Sequence, residues 1–180
     1  MAAHCALILS LICGLLAVDA SLKERCDNPL PTVKPTPDCG PRRYGGCCPE
    51  GWSRFQSRCF MFFHSPKSWI DAELSCIHAG GNLASVHSLD DNQYLGDLVF
   101  RVTGEHANVW VGAHDGVKEG VWLWSDGSEV DFEHWSHGEP NKRGDEHCLV
   151  MNWGEHQWTA FSCKRRLPFV CSTRSLPLTH

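Results

Sequence analysis

The residues with the clearest chemistry lie in one short segment near the C-terminal end of the chain. Glu139, Asn141 and Glu146 place three side-chain oxygen acceptors within eight residues, and a proline bends the chain between the first two. Hard oxygen ligands on a short loop suit Ca²⁺, which takes about 6–8 oxygens. Cys148 and Cys163 bracket the segment that follows, so a disulfide bond could hold the loop at its base. The remainder of the chain is then the scaffold for this loop.

The first twenty residues are typical of a secretory signal peptide. Ala6 to Val18 is a mainly apolar run of 13 residues, and small residues end it at Val18 and Ala20. Such a run is too short to span a bilayer. We expect cleavage after Ala20, and no later stretch is apolar enough for a membrane helix. The mature protein is therefore predicted to be soluble, secreted and extracellular.

The cysteine count agrees with an oxidising compartment. The chain has 11 cysteines, and the loss of Cys5 and Cys13 with residues 1–20 leaves nine (11 − 2). A secreted chain uses cysteines for disulfides, and an odd number leaves one over. No C-x₂-C pair occurs, which disfavours a structural zinc site. The net charge of −5, with acids and bases interspersed, argues against nucleic acid as a partner.

Residues 21–46 differ in composition from the rest of the chain. They contain five prolines and few apolar residues, together with Cys26 and Cys39. Such a segment is extended and semi-rigid, without a core of its own. It is predicted to be a tethered tail, with an oligomerisation arm as the alternative. The globular part then spans residues 47–173, and residues 174–180 form a C-terminal tail.

Hydrophobic periodicity predicts an α+β domain. Trp69, Ala72, Cys76 and Ala79 share one face of a helix that would begin with Pro66 in its first turn and end at residues 80–81. A second helix follows the cap-like segment at residues 88–91 and ends near residue 102. Short strands are predicted at residues 58–63, 83–86, 110–112, 121–124, 148–153, 157–158 and 169–171. Helices among short strands around a long loop are typical of the α+β class.

Aromatic and histidine side chains surround the acidic segment. The chain has eight tryptophans, most of which should be buried because aromatic rings bury large areas. Trp135 and Trp153 are the candidates for stacking on a sugar. Histidines are common metal ligands and titrate near neutral pH. Their spacing here supports neither a zinc site nor a pH-sensitive role, and scattered surface positions are expected for His134, His137, His147 and His156.

Several motifs occur in an order and at spacings that resemble the C-type lectin-like domain. They are Cys48-Pro-Glu-Gly-Trp52, Trp69-Ile-Asp-Ala-Glu73, Leu83-Ala-Ser-Val-His87, Trp110-Val-Gly112, Trp122-Leu-Trp-Ser-Asp-Gly127, Glu139-Pro-Asn141 and the last three cysteines. The resemblance covers residues 47–173. The segment at residues 117–127 is similar to small secreted fish lectins of the ladderlectin and nattectin type, whose group includes type II fish antifreeze proteins. The family fold has two helices, short antiparallel sheets and a long ligand-binding loop, stapled by disulfides.

The resemblance also implies how the cysteines pair. Three disulfides are expected, namely Cys48–Cys59, Cys76–Cys171 and Cys148–Cys163. Cys26, Cys39 and Cys47 remain. Two of these three are expected to pair with each other, and one is available to link to another chain. A disulfide-linked homodimer is therefore predicted.

In lectins of this family, a Ca²⁺ ion in the long loop binds vicinal hydroxyls of a sugar, and the E-P-N version of the loop goes with mannose-type sugars. Glu139, Asn141 and Glu146 match three of the ligands, so they are the predicted carbohydrate and calcium residues. The remaining ligands come from a W-N-D motif on the next strand. Here that motif reads Trp158-Thr159-Ala160, which removes one carboxylate and one amide.

A second calcium site of the family is matched less well. Asp115 and Glu119 match two of its ligands, but Lys142 and His147 stand where acids would be needed. The sequence favours solvated loop acids for the first two residues. Lys142 and Arg143 also oppose a cation in the loop, because like charges repel. Calcium binding is therefore expected to be weak or absent.

Three functions are compatible with these features. The first is a secreted carbohydrate-binding lectin that recognises mannose-type glycans, or a glycoprotein, in innate defence with weakened or lost calcium dependence. The second is a calcium-independent protein-binding module, because family members that lack W-N-D read protein surfaces. The third, an ice-binding antifreeze protein, is disfavoured by the charged loop and by the lack of extra cysteine pairs within the domain. No nucleophile motif indicates an enzyme.

Overall fold

The computed structural model describes residues 47–141 and 144–175. The predicted signal peptide, the Pro-rich lead-in, Lys142, Arg143 and residues 176–180 lie outside this part of the chain. Two helices, α1 (Trp69–His78) and α2 (Leu89–Thr103), accompany the strands. The strands are β1 (Ser53–Phe55), β2 (Arg58–Lys67), β3 (Asn82–Leu83), β4 (Val109–His114), β5 (Leu123–Trp124), β6 (Glu146–Trp153), β7 (Gln157–Ser162) and β8 (Leu167–Arg174). This arrangement confirms the predicted α+β class.

The strands form one mixed sheet. Its order is β1-β2-β8-β4-β6-β7, with β3 paired to β8 and β5 paired to β4. Strands β4 and β8 are parallel, with Trp110 opposite Phe169, and the other strand pairs are antiparallel. The prediction of short antiparallel sheets is corrected in this respect. Strand β8 lies between β2 and β4, antiparallel to the first and parallel to the second.

Helix α1 begins one residue after Ser68. The Ser68 hydroxyl accepts a hydrogen bond from the backbone N–H of Asp71 at 3.3 Å, as a typical N-cap does. Pro66 was predicted in the first turn, but it lies within β2, because the cap at Ser68 sets the start of the helix later. The burial of Trp69, Ala72 and Cys76 confirms most of the predicted inner face. The prediction is wrong for Ala79, which is the exposed C-cap of the helix.

Helix α2 follows the predicted cap closely. Ser88 accepts a hydrogen bond from the N–H of Asp91 at 3.1 Å, and Gly104 ends the helix in the left-handed conformation with φ of 77°. The Asp91 carboxylate accepts from the His87 N–H and forms an ion pair with Arg58 at 2.7 Å. Neither helix in the described residues is long and apolar enough to cross a membrane.

Three disulfides staple the domain as the family resemblance implies. They are Cys48–Cys59, Cys76–Cys171 and Cys148–Cys163. The second joins α1 to β8 across 95 residues of sequence. A loop of that length corresponds to about 4–5 kcal/mol of stabilisation in the loop-entropy model. Cys47 is also disulfide-bonded.

A buried carboxylate on α1 joins three parts of the scaffold. Glu73 is 6% exposed. It accepts hydrogen bonds from the Asn82 side chain, from the Leu83 N–H at 2.7 Å and from the Ser125 hydroxyl at 3.0 Å. Hydrogen bonds to charged groups contribute about 1.5–3 kcal/mol each in favourable cases. Glu73 thereby fixes α1 against β3 and against the start of the long loop that follows β5.

A polar network fastens the long loop to the core. The Ser85 hydroxyl donates to Asp126 at 2.6 Å, and Ser128 contacts the other oxygen of that carboxylate through its N–H and hydroxyl. His87 lies 2.7 Å from Asp131 and 3.1 Å from the Ser85 oxygen. Residues 126–131 of the loop are therefore held by side chains that follow β3.

The order Ser85, His87, Asp131 has the connectivity of a hydrolytic triad, but not its chemistry. Ser85 is 1% exposed, and its short bond to Asp126 uses the hydroxyl proton that a nucleophile would give to histidine. The Ser85 oxygen also lies 3.1 Å from the Arg58 guanidinium. These contacts make Ser85 a structural hydrogen-bonding residue.

The network predicts a loss of stability in acid. Partial desolvation would raise the pKa of Asp126, but hydrogen bonds from Ser128 and Ser85 outweigh it and lower the pKa. The hydrogen bond from His87 lowers the pKa of Asp131. Both carboxylates therefore stabilise the fold fully above their unfolded pKa of about 4, and this contribution is lost as pH falls through the folded values.

The substitution D126N keeps the shape of the side chain but cannot titrate. The free energy of unfolding should therefore fall less steeply with decreasing pH below about 4 in this variant than in the unsubstituted protein. Urea unfolding followed by tryptophan fluorescence at several pH values measures the two slopes. Equal slopes would show that Asp126 does not contribute to acid sensitivity.

Candidate functional site

A small cleft lies where the long loop meets the sheet. The space inside it is about 20 Å³, which holds about one water molecule or a bare ion. The segment after β4, the tip of the long loop, the start of β6 and the middle of β7 form its wall. Its lining residues are Asp115, Glu119, Gly120, Trp122, Pro140, Asn141, Gly144, Glu146, His147 and Ala160. Two of the predicted site residues, Asn141 and Glu146, are therefore brought to one cleft.

Glu139 holds the tip of the loop against β7. Its carboxylate accepts from the Asn141 N–H at 3.2 Å and from the Asn141 side-chain amide at 2.6 Å. It also accepts from the backbone N–H of Ala160 at 3.2 Å. The Glu139–Pro140 peptide bond is cis. Glu139 thus orients Asn141, and both of its oxygens are engaged with the protein.

Two buried polar atoms of cleft residues have no hydrogen-bond partner within the described part of the chain. They are the side-chain oxygen Oδ1 of Asn141 and the indole Nε1 of Trp122. One is an acceptor and the other is a donor. Buried polar groups are normally paired, so such atoms indicate where a ligand or water binds. A hydroxyl group can both donate to the first atom type and accept from the second.

Acidic side chains near the cleft differ in how they are used. Glu146 is the first residue of β6 and is partly buried, and no hydrogen bond or ion pair of its carboxylate involves the described residues. The neighbouring Asp145 points to solvent and forms an ion pair with Lys164 at 2.8 Å. The hydrogen bond from Lys164 lowers the pKa of Asp145. Glu146 is therefore an acid that, like Glu119 of the cleft lining, remains open to a ligand.

The described cleft residues offer few free oxygen atoms to a calcium ion. Among the described cleft side chains, the Asn141 oxygen and the Glu119 and Glu146 carboxylates have no hydrogen-bond or ion-pair partner, whereas Ca²⁺ takes about 6–8 oxygens. Thr159 is buried, and its hydroxyl lies 3.3 Å from the carbonyl oxygen of Ala160. Ala160 has no side-chain oxygen to offer a cation. Among residues 47–141 and 144–175, no three His, Cys, Asp or Glu side chains are grouped so that they could hold a metal ion.

The residues of the second family calcium site take a different arrangement. Asp115 is 5% exposed, so the expectation of a solvated loop acid is wrong for this residue. Its carboxylate accepts from the Gly120 N–H at 2.7 Å and lies 2.9 Å from the His147 ring nitrogen. His147 occupies a position where the family needs an acid, and here it satisfies Asp115 in place of a cation. Glu119 is exposed, as expected.

The two tryptophans predicted to stack on sugar lie elsewhere. Trp135 is partly buried beneath the loop, 4.8 Å from the Trp122 ring and 5.7 Å from the Trp158 ring. Trp153 is 43% exposed but stands at the other end of β6 from Glu146. The two residues are seven positions apart along the strand, which corresponds to about 23 Å. The structure therefore brings neither indole to the cleft lining.

The four histidines are dispersed over the described residues. His147 contacts Asp115, His134 stacks on Phe132, and the His156 ring meets the His106 ring edge to face at 4.1 Å. His137 is exposed. A surface position is therefore found as expected for His137, whereas the other three histidines are half-buried.

Sequence reasoning missed Trp122 and Ala160 as cleft residues. Trp122 is flanked by the exposed Val121 and Leu123, and it turns inward next to Trp135. The Trp-Leu-Trp motif predicts only that Trp122 lies in a strand. Ala160 is noticed in sequence only as a missing ligand, whereas its backbone N–H positions Glu139. A contact made by a backbone N–H cannot be recognised from the type of the residue that makes it.

Comparison with known proteins agrees with the fold. Residues 65–173 match the model of the family described as Lectin C-type domain. Ladderlectin from Oncorhynchus mykiss is 46% identical over 123 residues, which cover 67% of this chain and 65% of ladderlectin. The galactose-specific lectin nattectin from Thalassophryne nattereri is 39% identical over 132 residues, covering 73% of this chain and 83% of nattectin.

A solved structure shows the same architecture. The herring type II antifreeze protein superposes with a TM-score of 0.66 and 31% identity, covering 73% of this chain and all (100%) of the antifreeze chain. The family match spans more than half of the sequence, and the disulfides, helices and sheet agree with it. The chain belongs to the C-type lectin domain family.

Proposed function

We propose that this chain is a glycan-binding lectin whose cleft receives hydroxyl groups of a mannose-type sugar. The observation that carries the proposal is the pair of unpartnered polar atoms on Asn141 and Trp122, next to the open carboxylate of Glu146. Together they offer two acceptors and one donor to adjacent hydroxyls. A site that hydrogen-bonds hydroxyl groups discriminates strongly against ligands without them.

The sugar preference rests on the Glu139-Pro140-Asn141 sequence. In this family that version goes with mannose-type sugars, whereas nattectin is named as galactose-specific. Glu139 fixes the amide of Asn141, so the Asn141 oxygen faces away from Glu139 as an acceptor. We therefore propose a mannose-type preference for this chain, different from that in the name of its relative.

We further propose that binding depends weakly or not at all on Ca²⁺. The Glu139 carboxylate is held by three N–H donors, and the strand that should supply two more ligands supplies Thr159 and Ala160. A sugar would then bind through direct hydrogen bonds to the cleft. Such a site is weak for a single sugar, because each net hydrogen bond contributes only about 0.5–1.5 kcal/mol.

Retention on mannose-agarose, with and without EDTA, tests this function. The oxidised protein should be retained in both buffers and eluted by free mannose more readily than by galactose. N141A removes the acceptor while leaving the Glu139–Ala160 contact, so it should lower retention at least several-fold. N108A, a partly buried asparagine outside the cleft, is the matched control and should be retained normally. Loss of retention in EDTA, or equal retention of N141A, would contradict the proposal.

Restoring the missing ligands should restore calcium binding. The double variant T159N/A160D returns one amide and one carboxylate to the strand that faces Glu139. Because calcium affinity rises with ligand charge and number, this variant should bind Ca²⁺ at least tenfold more tightly than the unsubstituted chain. Isothermal titration measures both, with T159N alone as the control. Tight binding by the unsubstituted protein would show that its cleft already forms a calcium site.

A protein ligand is the second candidate function. Val117, Val121 and Leu123 are 77%, 42% and 43% exposed beside the cleft, and exposed apolar side chains favour a protein surface as the partner. Normal stability without retention on any sugar column would support it. An ice-binding role is less well supported, because Glu119, Asp145 and Glu146 make this face charged.

The location of the protein is also a proposal. Residues 1–20 have the pattern of a signal peptide, and the described domain contains three disulfides, which persist in oxidising compartments. We infer a secreted protein that binds glycans or glycoproteins outside the cell, in innate defence.

A further inference from the structure

The outer face of α1 carries an apolar stripe. Ile70, Leu74 and Ile77 are 56%, 46% and 51% exposed, and their spacing of four and three residues places them along one side of the helix. The opposite side of α1 is already buried in the core through Trp69 and Cys76. Single exposed aliphatic residues are ordinary, but three in line form a continuous surface that fits another helix.

Polar residues beside the stripe are arranged unequally along the helix. A shallow groove next to Leu74 is lined by Lys67, Asp71, Ser75, His78 and Arg166 as well. Asp71 lies in the first turn of α1 and His78 in the last turn. The side of α1 next to the stripe therefore carries a hydrogen-bond acceptor, Asp71, at one end and a donor, His78, at the other, seven positions apart. When a second copy of the helix runs in the opposite direction, the acceptor of each copy therefore faces the donor of the other.

We propose that the α1 stripe binds the same stripe of a second copy of this chain, with the two helices antiparallel. A two-fold axis through Leu74 places Ile70 of each copy against Ile77 of the other. It also places Asp71 of each copy beside His78 of the other, where the carboxylate accepts a hydrogen bond from the ring. Symmetric dimers use one self-complementary patch in this way. Lys67 and Arg166 lie at the rim, where solvent screens like charges.

The stripe alone is too small for a stable dimer. Stable interfaces bury about 800 Å² per partner, far more than three half-exposed side chains provide. The cysteine count supplies a tether, because nine cysteines remain after removal of residues 1–20 and an odd number cannot all pair within one chain. The domain begins at Cys47, and the next residue, Cys48, packs in the same core cluster as Trp69 and Cys76 of α1. A covalent link between two copies raises the effective concentration of the second stripe.

The dimer is tested by sedimentation and by non-reducing electrophoresis of the oxidised protein secreted from the full sequence. The unsubstituted protein should sediment as a dimer and contain an interchain disulfide. In the stripe variant I70E/L74E/I77E, the dissociation constant of the dimer should rise at least tenfold, so that the protein sediments as a monomer. The yield of the interchain disulfide should also be low. V102E/V117E replaces two other exposed aliphatic residues, 61% and 77% exposed, and should remain dimeric.

Exchange of the flanking pair tests the antiparallel register. D71H and H78D should each weaken the dimer, and the double variant D71H/H78D should recover it, because the contact between copies is restored with the roles exchanged. Thermal unfolding checks that each variant is folded. A monomeric unsubstituted protein, or a stripe variant as dimeric as the control, would overturn the proposal. N141A should remain dimeric, so the result is independent of the glycan site.

Discussion

The carboxylate of Glu139 is the contact on which the cleft depends. It accepts hydrogen bonds from the main chain and side chain of Asn141 and from the backbone N–H of Ala160. The first two contacts set the orientation of the asparagine, and the third joins the long loop to β7. Hydrogen bonds to an ionised group are about twice as strong as neutral ones. The tip of the loop is therefore held by the protein's own N–H groups.

The scaffold supports this contact from two sides. The Cys148–Cys163 disulfide closes the β6–β7 pair that carries Glu146 and Ala160. Trp135 forms an isolated bridge with Trp158, so the loop that precedes Glu139 runs beside β7. At its other end, the loop is fixed by Ser125 to Glu73 and by Asp126 to Ser85. Ordering the loop before a ligand arrives reduces the entropy lost on binding.

Much of the fold is predictable from the sequence because its signals are local or come in family order. The serines that cap both helices, the buried face of α1 and the glycine that ends α2 are local features. The three disulfides follow from the motif order of the family. The late start of α1 is set by the cap at Ser68, which is also a local feature. The parallel pairing of β8 with β4 is not local, because a strand's partner is decided by tertiary packing.

The site is predictable only in part. Asn141 and Glu146 meet at the cleft as expected, since they lie close in sequence. Trp135 and Trp153 are also near these residues in sequence, but they lie outside the cleft lining. Trp135 packs against Trp158, and the length of β6 places Trp153 at the far end of that strand. Asp115 and His147 are 32 residues apart and pair only because β4 and β6 are neighbours. Sequence spacing contains no direct record of such contacts.

The most direct test of the account is a two-dimensional ¹⁵N NMR titration of the oxidised protein with methyl α-mannoside in EDTA buffer. The side-chain amide of Asn141, the indole N–H of Trp122 and the backbone amide of Ala160 should shift together and saturate, while the indole of Trp153 stays unchanged. Shifts centred on Trp153, or no shifts until Ca²⁺ is added, would contradict a metal-independent sugar site organised by Glu139.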